Sequence, residues 1–156
     1  MYPIIERMFK DEEYNSVFEV GSAVGGLFEG LHGKFGGIDI HENDNKTIKK
    51  LFPKYAKNFI LGDAWSIPWP IPDNYYDIVF TVGFFTVIDR DPLPVIKEMQ
   101  RIGKKVIMAE NYGDESKLIS GDFVRVIRDY KKLLPKAKFE TFSDDKTIIW
   151  LTKQPK

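Results

Sequence analysis

The sequence SVFEVGSAVGG, at residues 16–26, decides the fold of this chain. Its first half is an apolar run interrupted by one acid, Glu19, which is typical of a strand covered on both faces of a sheet. Its second half contains glycines from Gly21 onward, which let the backbone adopt unusual dihedral angles and approach a ligand closely. A helix over 25–32 would direct its amide groups at that ligand. The stretch predicts a buried strand leading into a ligand-binding loop, although a glycine-rich turn without a ligand has the same pattern.

Length and composition indicate one globular domain over residues 1–156. Hydrophobic residues make up 43% of the chain and charged residues 29%, as in ordinary folded domains. The 23 basic and 23 acidic residues cancel, so no net field attracts nucleic acid or an anionic membrane. The absence of cysteine excludes thiolate catalysis and zinc bound by cysteine. Since the sequence shows neither a signal peptide nor an apolar run of membrane-spanning length, we expect a cytoplasmic protein.

Strand-like and helix-like segments alternate along the chain, which favours an α/β fold with helices on both faces of a parallel sheet. The chain closes with two strands joined by a short turn, and such strands must be antiparallel. An ordered proline-rich loop, rather than a helix, is expected over 62–75. The predicted strands are 16–20, 35–40, 58–61, 76–82, 105–110, 138–142 and 147–152, and the predicted helices are 25–32, 44–52, 93–102 and 123–134, the last capped by Asp122.

The chain resembles the class I S-adenosylmethionine-dependent methyltransferases over nearly its whole length. The acid-G-x-G-x-G motif of that family matches residues 19–25, with Ala23 in place of the middle glycine. The acid that ends the second strand in the family matches Asp39, and the acid after the third strand matches Asp63. The resemblance implies a Rossmann-like sandwich with a mostly parallel seven-stranded sheet, a terminal antiparallel hairpin and a minimal N-terminal cap.

A narrower resemblance concerns the acceptor. Residues 62–82 are similar to the small-molecule, methyltransferase-11-like branch, and the stretches TVGFFTVI and DDKTIIWL resemble methylases associated with pseudaminic acid biosynthesis. The loop GSAVGG also fits the G-x-A-x-x-G loop of nicotinamide-dependent reductases, which leaves an NAD-dependent enzyme as an alternative. That alternative explains neither Asp63 nor the terminal hairpin.

The resemblance implies that S-adenosylmethionine is the cofactor and S-adenosylhomocysteine the product. Asp39 would accept hydrogen bonds from the ribose hydroxyls and Asp63 one from the adenine amine, while Glu19 would contact the glycine loop or the methionyl ammonium. Trp65 is also compatible with a purely structural role in the core. The full implied cofactor set is Glu19, Gly21, Ser22, Ala23, Gly25, Asp39, Ile40, Asp63, Ala64, Trp65, Thr81 and Gly83.

The acceptor side carries no motif that assigns a catalytic residue. An N/D-P-P-Y/F/W clamp of DNA adenine methylases is absent after the fourth strand, and so is the acid that metal-dependent catechol-type enzymes need there, so neither base methylation nor a catalytic metal is expected. The polar candidates for catalysis are His41, Glu110 and Tyr112, and the candidates for contact with the acceptor are Phe84, Phe85, Asn111 and Tyr112.

The sequence therefore predicts methyl transfer, by in-line displacement, to a hydroxyl, carboxyl or amine of a sugar or other small metabolite. A cofactor-binding module that activates a partner without catalysis of its own is an alternative. Because only about fifteen residues precede the first strand and no helical insert follows the fifth beyond residues 113–121, we expect an open acceptor side. The N-terminal segment, a second copy of the chain, a partner subunit or a large substrate would complete it.

Overall fold

A computed structural model describes residues 2–121 and 123–152 of the chain. Its helices are α1 (Pro3–Phe9), α2 (Glu42–Leu51), α3 (Leu93–Ile102) and α4 (Tyr130–Leu133), with single 3₁₀ segments at Gly26–Phe28, Pro53–Asn58 and Phe85–Val87. Its strands are β1 (Ser16–Val20), β2 (Lys34–Asp39), β3 (Phe59–Leu61), β4 (Tyr76–Val82), β5 (Gly103–Glu110), β6 (Ser116–Ser120), β7 (Phe123–Ile127), β8 (Lys138–Thr141) and β9 (Thr147–Thr152). None of the helices in these two ranges is both long and apolar enough to cross a membrane.

Seven strands form one sheet in the order β3-β2-β1-β4-β5-β9-β8. The first five run parallel, whereas β9 pairs antiparallel with both β5 and β8. This confirms the predicted parallel sheet with a closing hairpin. The strand order reverses between β1 and β4, and in open sheets of this kind ligands bind outside the carboxyl ends of the strands at such a switch point.

Both faces of the sheet are covered, and successive residues of β1 face opposite sides. Val17 belongs to the cluster that packs against α1 and α2, and Phe18 to the cluster that packs against α3 and α4. Both side chains are completely buried. The apolar run of the sequence thus forms a strand buried on both faces, as expected.

Two of the predicted helices are wrong. Residues 25–32 hold only the 3₁₀ segment at 26–28, which begins after Gly25 with its φ of +80°, so no long helix points its amides at a ligand there. Residues 123–134 hold β7 and the short α4 instead of one helix, and β7 pairs with β6 in a separate two-stranded hairpin. Valine and isoleucine alternate with other residues in this stretch, and β-branched side chains favour the extended backbone. The predicted cap, Asp122, lies outside the described residues.

The proline-rich loop over 62–75 is ordered, as predicted, because α3 holds it. Glu98 Oε1 accepts from the Trp69 backbone amide at 2.7 Å, and Arg101 donates to the carbonyls of Trp69 and Ile71 at 3.0 and 2.8 Å. The Trp69 ring is 2% exposed, and its Nε1 donates to the Ala64 carbonyl. Trp69 therefore plugs the core beneath the loop, and it fixes the segment that follows Asp63.

Candidate functional site

A cavity of about 530 Å³ lies at the carboxyl edge of the sheet, around the ends of β1, β2 and β4. This size is within the usual range for small-molecule sites. It is the place where the strand order predicts a ligand. The cavity is lined by Gly21, Ile38, Asp39, Ile40, His41, Gly62, Asp63, Ala64, Trp65, Val82, Gly83, Phe84, Val87, Ile88 and Arg90.

The glycine loop after β1 folds back onto β2, since the amides of Gly21 and Ser22 both donate to the Ile38 carbonyl at 2.9 and 3.2 Å. Gly21 has a φ of +75°, and a Cβ there would lie 2.5 Å from Cδ2 of Phe84. Gly25 packs against α2, because a Cβ there would come within 2.9 Å of Ile48 and of Phe52. Gly21 is therefore the member of the loop that meets the cavity, whereas Gly25 and the buried Ser22 support it from behind.

Asp39 ends β2 and holds the loop in place. Its Oδ2 accepts from the Ala23 amide at 2.9 Å and its Oδ1 from the His41 amide at 2.8 Å. Ala23 has a φ of +42°, the left-handed region that the glycine of the motif would adopt without strain. A carboxylate oxygen can accept more than one hydrogen bond, so Asp39 retains acceptor capacity toward the cavity it lines.

Glu19 is buried behind the loop, with 3% of its surface exposed. Its Oε2 makes no hydrogen bond with any described residue. Burial, and secondarily the negative charge of Asp39, raise the pKa of Glu19 well above its ordinary value. Buried polar atoms are nearly always paired, so this oxygen is suited to accept a hydrogen bond from a ligand that reaches it.

Asp63 follows β3 and is clamped by two donors. The Trp65 amide donates to its Oδ1 at 2.9 Å, and Arg90 Nη1 donates to its Oδ2 at 2.9 Å. The Arg90 side chain, followed by the Trp65 amide, lowers the pKa of Asp63. The Arg90 guanidinium also lies 4.2 Å from the centre of the Trp65 ring. Arg90 was not predicted from the sequence, because it sits far along the chain in a loop with no motif of its own.

An apolar wall closes one side of the cavity. The rings of Phe84 and Trp65 stack with centroids 5.7 Å apart and planes inclined by 26°. Val87 and Ile88, which sequence reasoning also missed, extend this wall. Phe85 is completely buried behind Phe84 and does not line the cavity.

Other predicted side chains lie outside the cavity lining. The Thr81 hydroxyl is buried and donates to the Val20 carbonyl at 3.0 Å, so it joins β4 to β1. Glu110 is fully buried and accepts from the amides of Phe85 and Thr86 and from the Thr86 hydroxyl, at 3.2, 3.0 and 2.8 Å. Burial raises the pKa of Glu110 to about 7. This acid anchors the turn after β4 rather than facing a substrate in the cavity.

Tyr112 packs near Phe139, with ring centroids 6.1 Å apart. Neither Tyr112 nor Asn111 lines the cavity, and of the three polar candidates for catalysis only His41 does. In the described part of the chain, no three or more histidine, aspartate or glutamate side chains cluster in a way that could hold a metal ion.

A family profile described as methyltransferase domain matches residues 18–106, more than half of the chain. No curated protein sequence matches the chain.

Several solved structures share the fold. A SAM-dependent methyltransferase from Aquifex aeolicus has a TM-score of 0.64 at 18% identity, covering 94% of this chain and 87% of its own. An S-adenosylmethionine-dependent methyltransferase from Mesorhizobium loti has a TM-score of 0.70 at 9% identity, covering 95% of each chain. The DhpI–SAH complex has a TM-score of 0.69 at 16% identity, covering 97% of this chain and 83% of its own.

Proposed function

The chain belongs to the methyltransferase domain family, and from that membership we propose that it transfers the methyl group of S-adenosylmethionine to a small-molecule acceptor. The observation that carries the proposal is the presence of two strand-end acids, Asp39 and Asp63, in the lining of one switch-point cavity, with Glu19 buried behind the adjoining glycine loop. The bound cofactor would supply an electrophilic methyl group on a positively charged sulfur. The chemistry left to the chain is to bind, orient and exclude water.

The polar groups around the cavity fit the parts of this cofactor. Asp39 offers a carboxylate with spare acceptor capacity, which suits the vicinal hydroxyls of a ribose. Asp63 offers a second carboxylate beside the Trp65 ring, which suits the exocyclic amine of a stacked adenine. Glu19 offers the unpaired buried oxygen, which suits the ammonium of the methionyl group.

The apolar wall formed by Phe84, Trp65, Val87 and Ile88 would keep water from the reacting centre, where a sulfonium could otherwise be hydrated. Methyl transfer to an ionised or neutral nucleophile needs correct alignment more than a dedicated base. Where the acceptor must lose a proton, His41 is the side chain on the cavity wall whose chemistry suits proton transfer. We assign Glu110 a positioning role only.

Calorimetric titration tests the donor half of this proposal. We expect S-adenosylmethionine and S-adenosylhomocysteine to bind with one site per chain, and NAD not to bind. Tight binding of NAD without binding of S-adenosylmethionine would overturn the proposal in favour of a reductase.

Turnover measurements test the acceptor half of the proposal. Release of S-adenosylhomocysteine in the presence of small hydroxyl, carboxyl and amine acceptors distinguishes a methyltransferase of small molecules from a non-catalytic cofactor-binding module. Binding of the cofactor with no acceptor-dependent release across all three classes would favour the module.

A further inference from the structure

Lys146 brings an ammonium group to the edge of the cavity from the turn between β8 and β9. Its Nζ lies 3.2 Å from the position that a Cβ on Gly83 would take, and Gly83 is part of the cavity wall directly after β4. Since β9 pairs with β5 and β5 with β4, this side chain crosses the carboxyl end of β5 to arrive there. The ammonium therefore lies next to Gly83 at the β4 edge of the cavity, and the lining itself contributes a second cation, Arg90, which is paired with Asp63.

None of the described acids forms an ion pair with Lys146. Within residues 2–121 and 123–152, no carboxylate oxygen lies within 4 Å of Lys146 Nζ. Glu110 acts on Lys146 electrostatically, but its oxygens accept from the backbone and hydroxyl donors of residues 85–86. In the turn itself, Asp145 pairs with Arg125 at 3.5 Å and accepts from Ser143. The positive charge of Lys146 is thus left without a direct counter-ion among these residues.

Asn111 adds further donors beside this ammonium. Lys146 Nζ donates to Asn111 Oδ1 at 2.9 Å, so the amide oxygen faces the ammonium and the NH₂ group remains for another acceptor. None of the described residues accepts a hydrogen bond from that NH₂ group. An ammonium carries three N–H groups, of which the contact with Asn111 uses one. The pair therefore presents donors without acceptors, which is the chemistry of an anion site.

We propose that the methyl acceptor carries an anionic group, a carboxylate or a phosphate, which Lys146 binds at the β4 side of the cavity. The inference rests on the proposed methyl transfer and adds the chemical class of the acceptor. The charge-assisted hydrogen bond fixes the orientation of the acceptor, and the apolar wall of Phe84 and Val87 accommodates its neutral part. Lys146 is then a residue that determines acceptor specificity, and it makes no contact with the acids that are proposed to hold the donor.

Anion binding can be measured before the acceptor is identified. The 156-residue chain, labelled with ¹⁵N and saturated with S-adenosylhomocysteine, is titrated with inorganic phosphate and separately with acetate, with ionic strength held constant by chloride. We expect saturable shifts of the amide resonances of Gly83, Asn111 and Lys146. Lys146→Met should lower the affinity for whichever anion binds by about tenfold or more, because one charge-assisted hydrogen bond is lost. Lys146→Arg should retain binding, and Lys97→Met, which removes an exposed lysine on α3, should leave it unchanged.

The outcomes separate this inference from the proposed function. Calorimetry with S-adenosylhomocysteine on the same samples reports the donor site, and Lys146→Met should leave that affinity unchanged. If the donor binds but neither phosphate nor acetate shifts these resonances, or if Lys146→Met does not weaken the shifts, the anionic acceptor is wrong and the methyltransferase stands. If wild-type protein fails to bind S-adenosylhomocysteine, the proposed function fails and the acceptor assignment falls with it.

A kinetic comparison provides the second readout. Acceptor candidates are supplied in pairs that differ only in a carboxylate or its primary amide, and release of S-adenosylhomocysteine is followed. Wild type should prefer the carboxylate member, and Lys146→Met should lose that preference. Methylation confined to the neutral members would overturn the proposal.

Discussion

The backbone amide of Ala23 donates a hydrogen bond of 2.9 Å to Oδ2 of Asp39. This contact ties the loop after β1 to the end of β2, and the His41 amide completes the arrangement on the other carboxylate oxygen. One buried acid thereby shapes the loop and faces the cavity at the same time. A change at Asp39 must therefore affect the ligand and the loop together.

Asp39→Ala should reduce affinity for S-adenosylhomocysteine by about a hundredfold or more, because it removes the proposed ribose acceptor and frees the Ala23 amide. Calorimetry measures the affinity, and far-UV circular dichroism checks that the sheet persists. Glu29→Ala, at an exposed acid near the same loop, is the matched control and should bind normally. Undiminished affinity in Asp39→Ala would remove Asp39 from the site.

Ala23→Gly should leave the free energy of unfolding unchanged or raise it by up to about 1 kcal/mol. The left-handed backbone at Ala23, with its φ of +42°, strains a residue that has a Cβ, and glycine relieves that strain at some cost in unfolded-state entropy. Denaturant titration checks this. A loss well beyond 1 kcal/mol would mean that the methyl group of Ala23 makes packing contacts that outweigh the strain.

Gly21→Ala should destabilise the protein by about 1–3 kcal/mol, because the new Cβ would meet the Phe84 ring and because a φ of +75° disfavours alanine. The double variant Gly21→Ala, Phe84→Leu separates the two causes by double-mutant analysis. If the steric cause dominates, the cost of the alanine should shrink when Phe84 is replaced. An equal cost in both backgrounds would assign the effect to the backbone alone.

Arg90→Met should weaken binding of S-adenosylhomocysteine by about tenfold, since Asp63 would lose the partner that orients it and Trp65 would lose the guanidinium above its ring. The pKa of Asp63 should also rise, so binding should fall off at a higher pH than in wild type. Calorimetry over a series of acidic pH values measures both effects. Arg125→Met breaks the ion pair with Asp145, which involves no residue of the cavity lining, and should change neither quantity. Tighter binding by Arg90→Met would show that Arg90 competes with the ligand for Asp63.

The burial of Glu110 should make stability depend on pH. Its pKa is about 7 in the folded chain against an ordinary value of 4.5, so the folded state holds the proton more tightly. The stabilisation is complete below the ordinary value and is lost as the pH rises through about 7. The difference in free energy of unfolding between wild type and Glu110→Gln should therefore decrease over this interval, as measured by denaturant titrations. A difference that stays constant, or that grows with pH, would contradict the raised pKa.

The sequence pattern predicted both ends of β4 and of α3 correctly. For α3 the reason is that residues with strong local preferences stand at both of its ends. Pro92 precedes the first turn of α3 and Gly103 follows its last residue, so the signals and the tertiary structure agree. The helix predicted over 123–134 was wrong because the pattern is ambiguous there: the spacing of the apolar residues fits a helix, and the alternation of apolar and polar residues fits a strand. Pairing with β6, which sequence alone does not reveal, decides for the strand.

The residues of the site likewise divide into those that local sequence marks and those that only tertiary packing brings there. Asp39 and Asp63 could be identified because each follows a strand directly, where the fold brings side chains to one edge. Arg90 and Lys146 could not, since their positions depend on how a loop and a distant turn pack over that edge. The sequence correctly predicted that Glu110 ends the fifth strand. Its role depends on its burial and on the three donors that it accepts from, and these are visible only in the structure.

The position of β9 between β5 and β8 has a consequence for how the chain is made. During synthesis, β1 to β5 emerge first, yet the outer side of β5 stays unpaired until residues 147–152 have been added. An exposed strand edge of this kind invites pairing with other chains. A nascent or truncated form that stops before β9 should therefore be prone to aggregation even though every residue of the proposed donor site is already present.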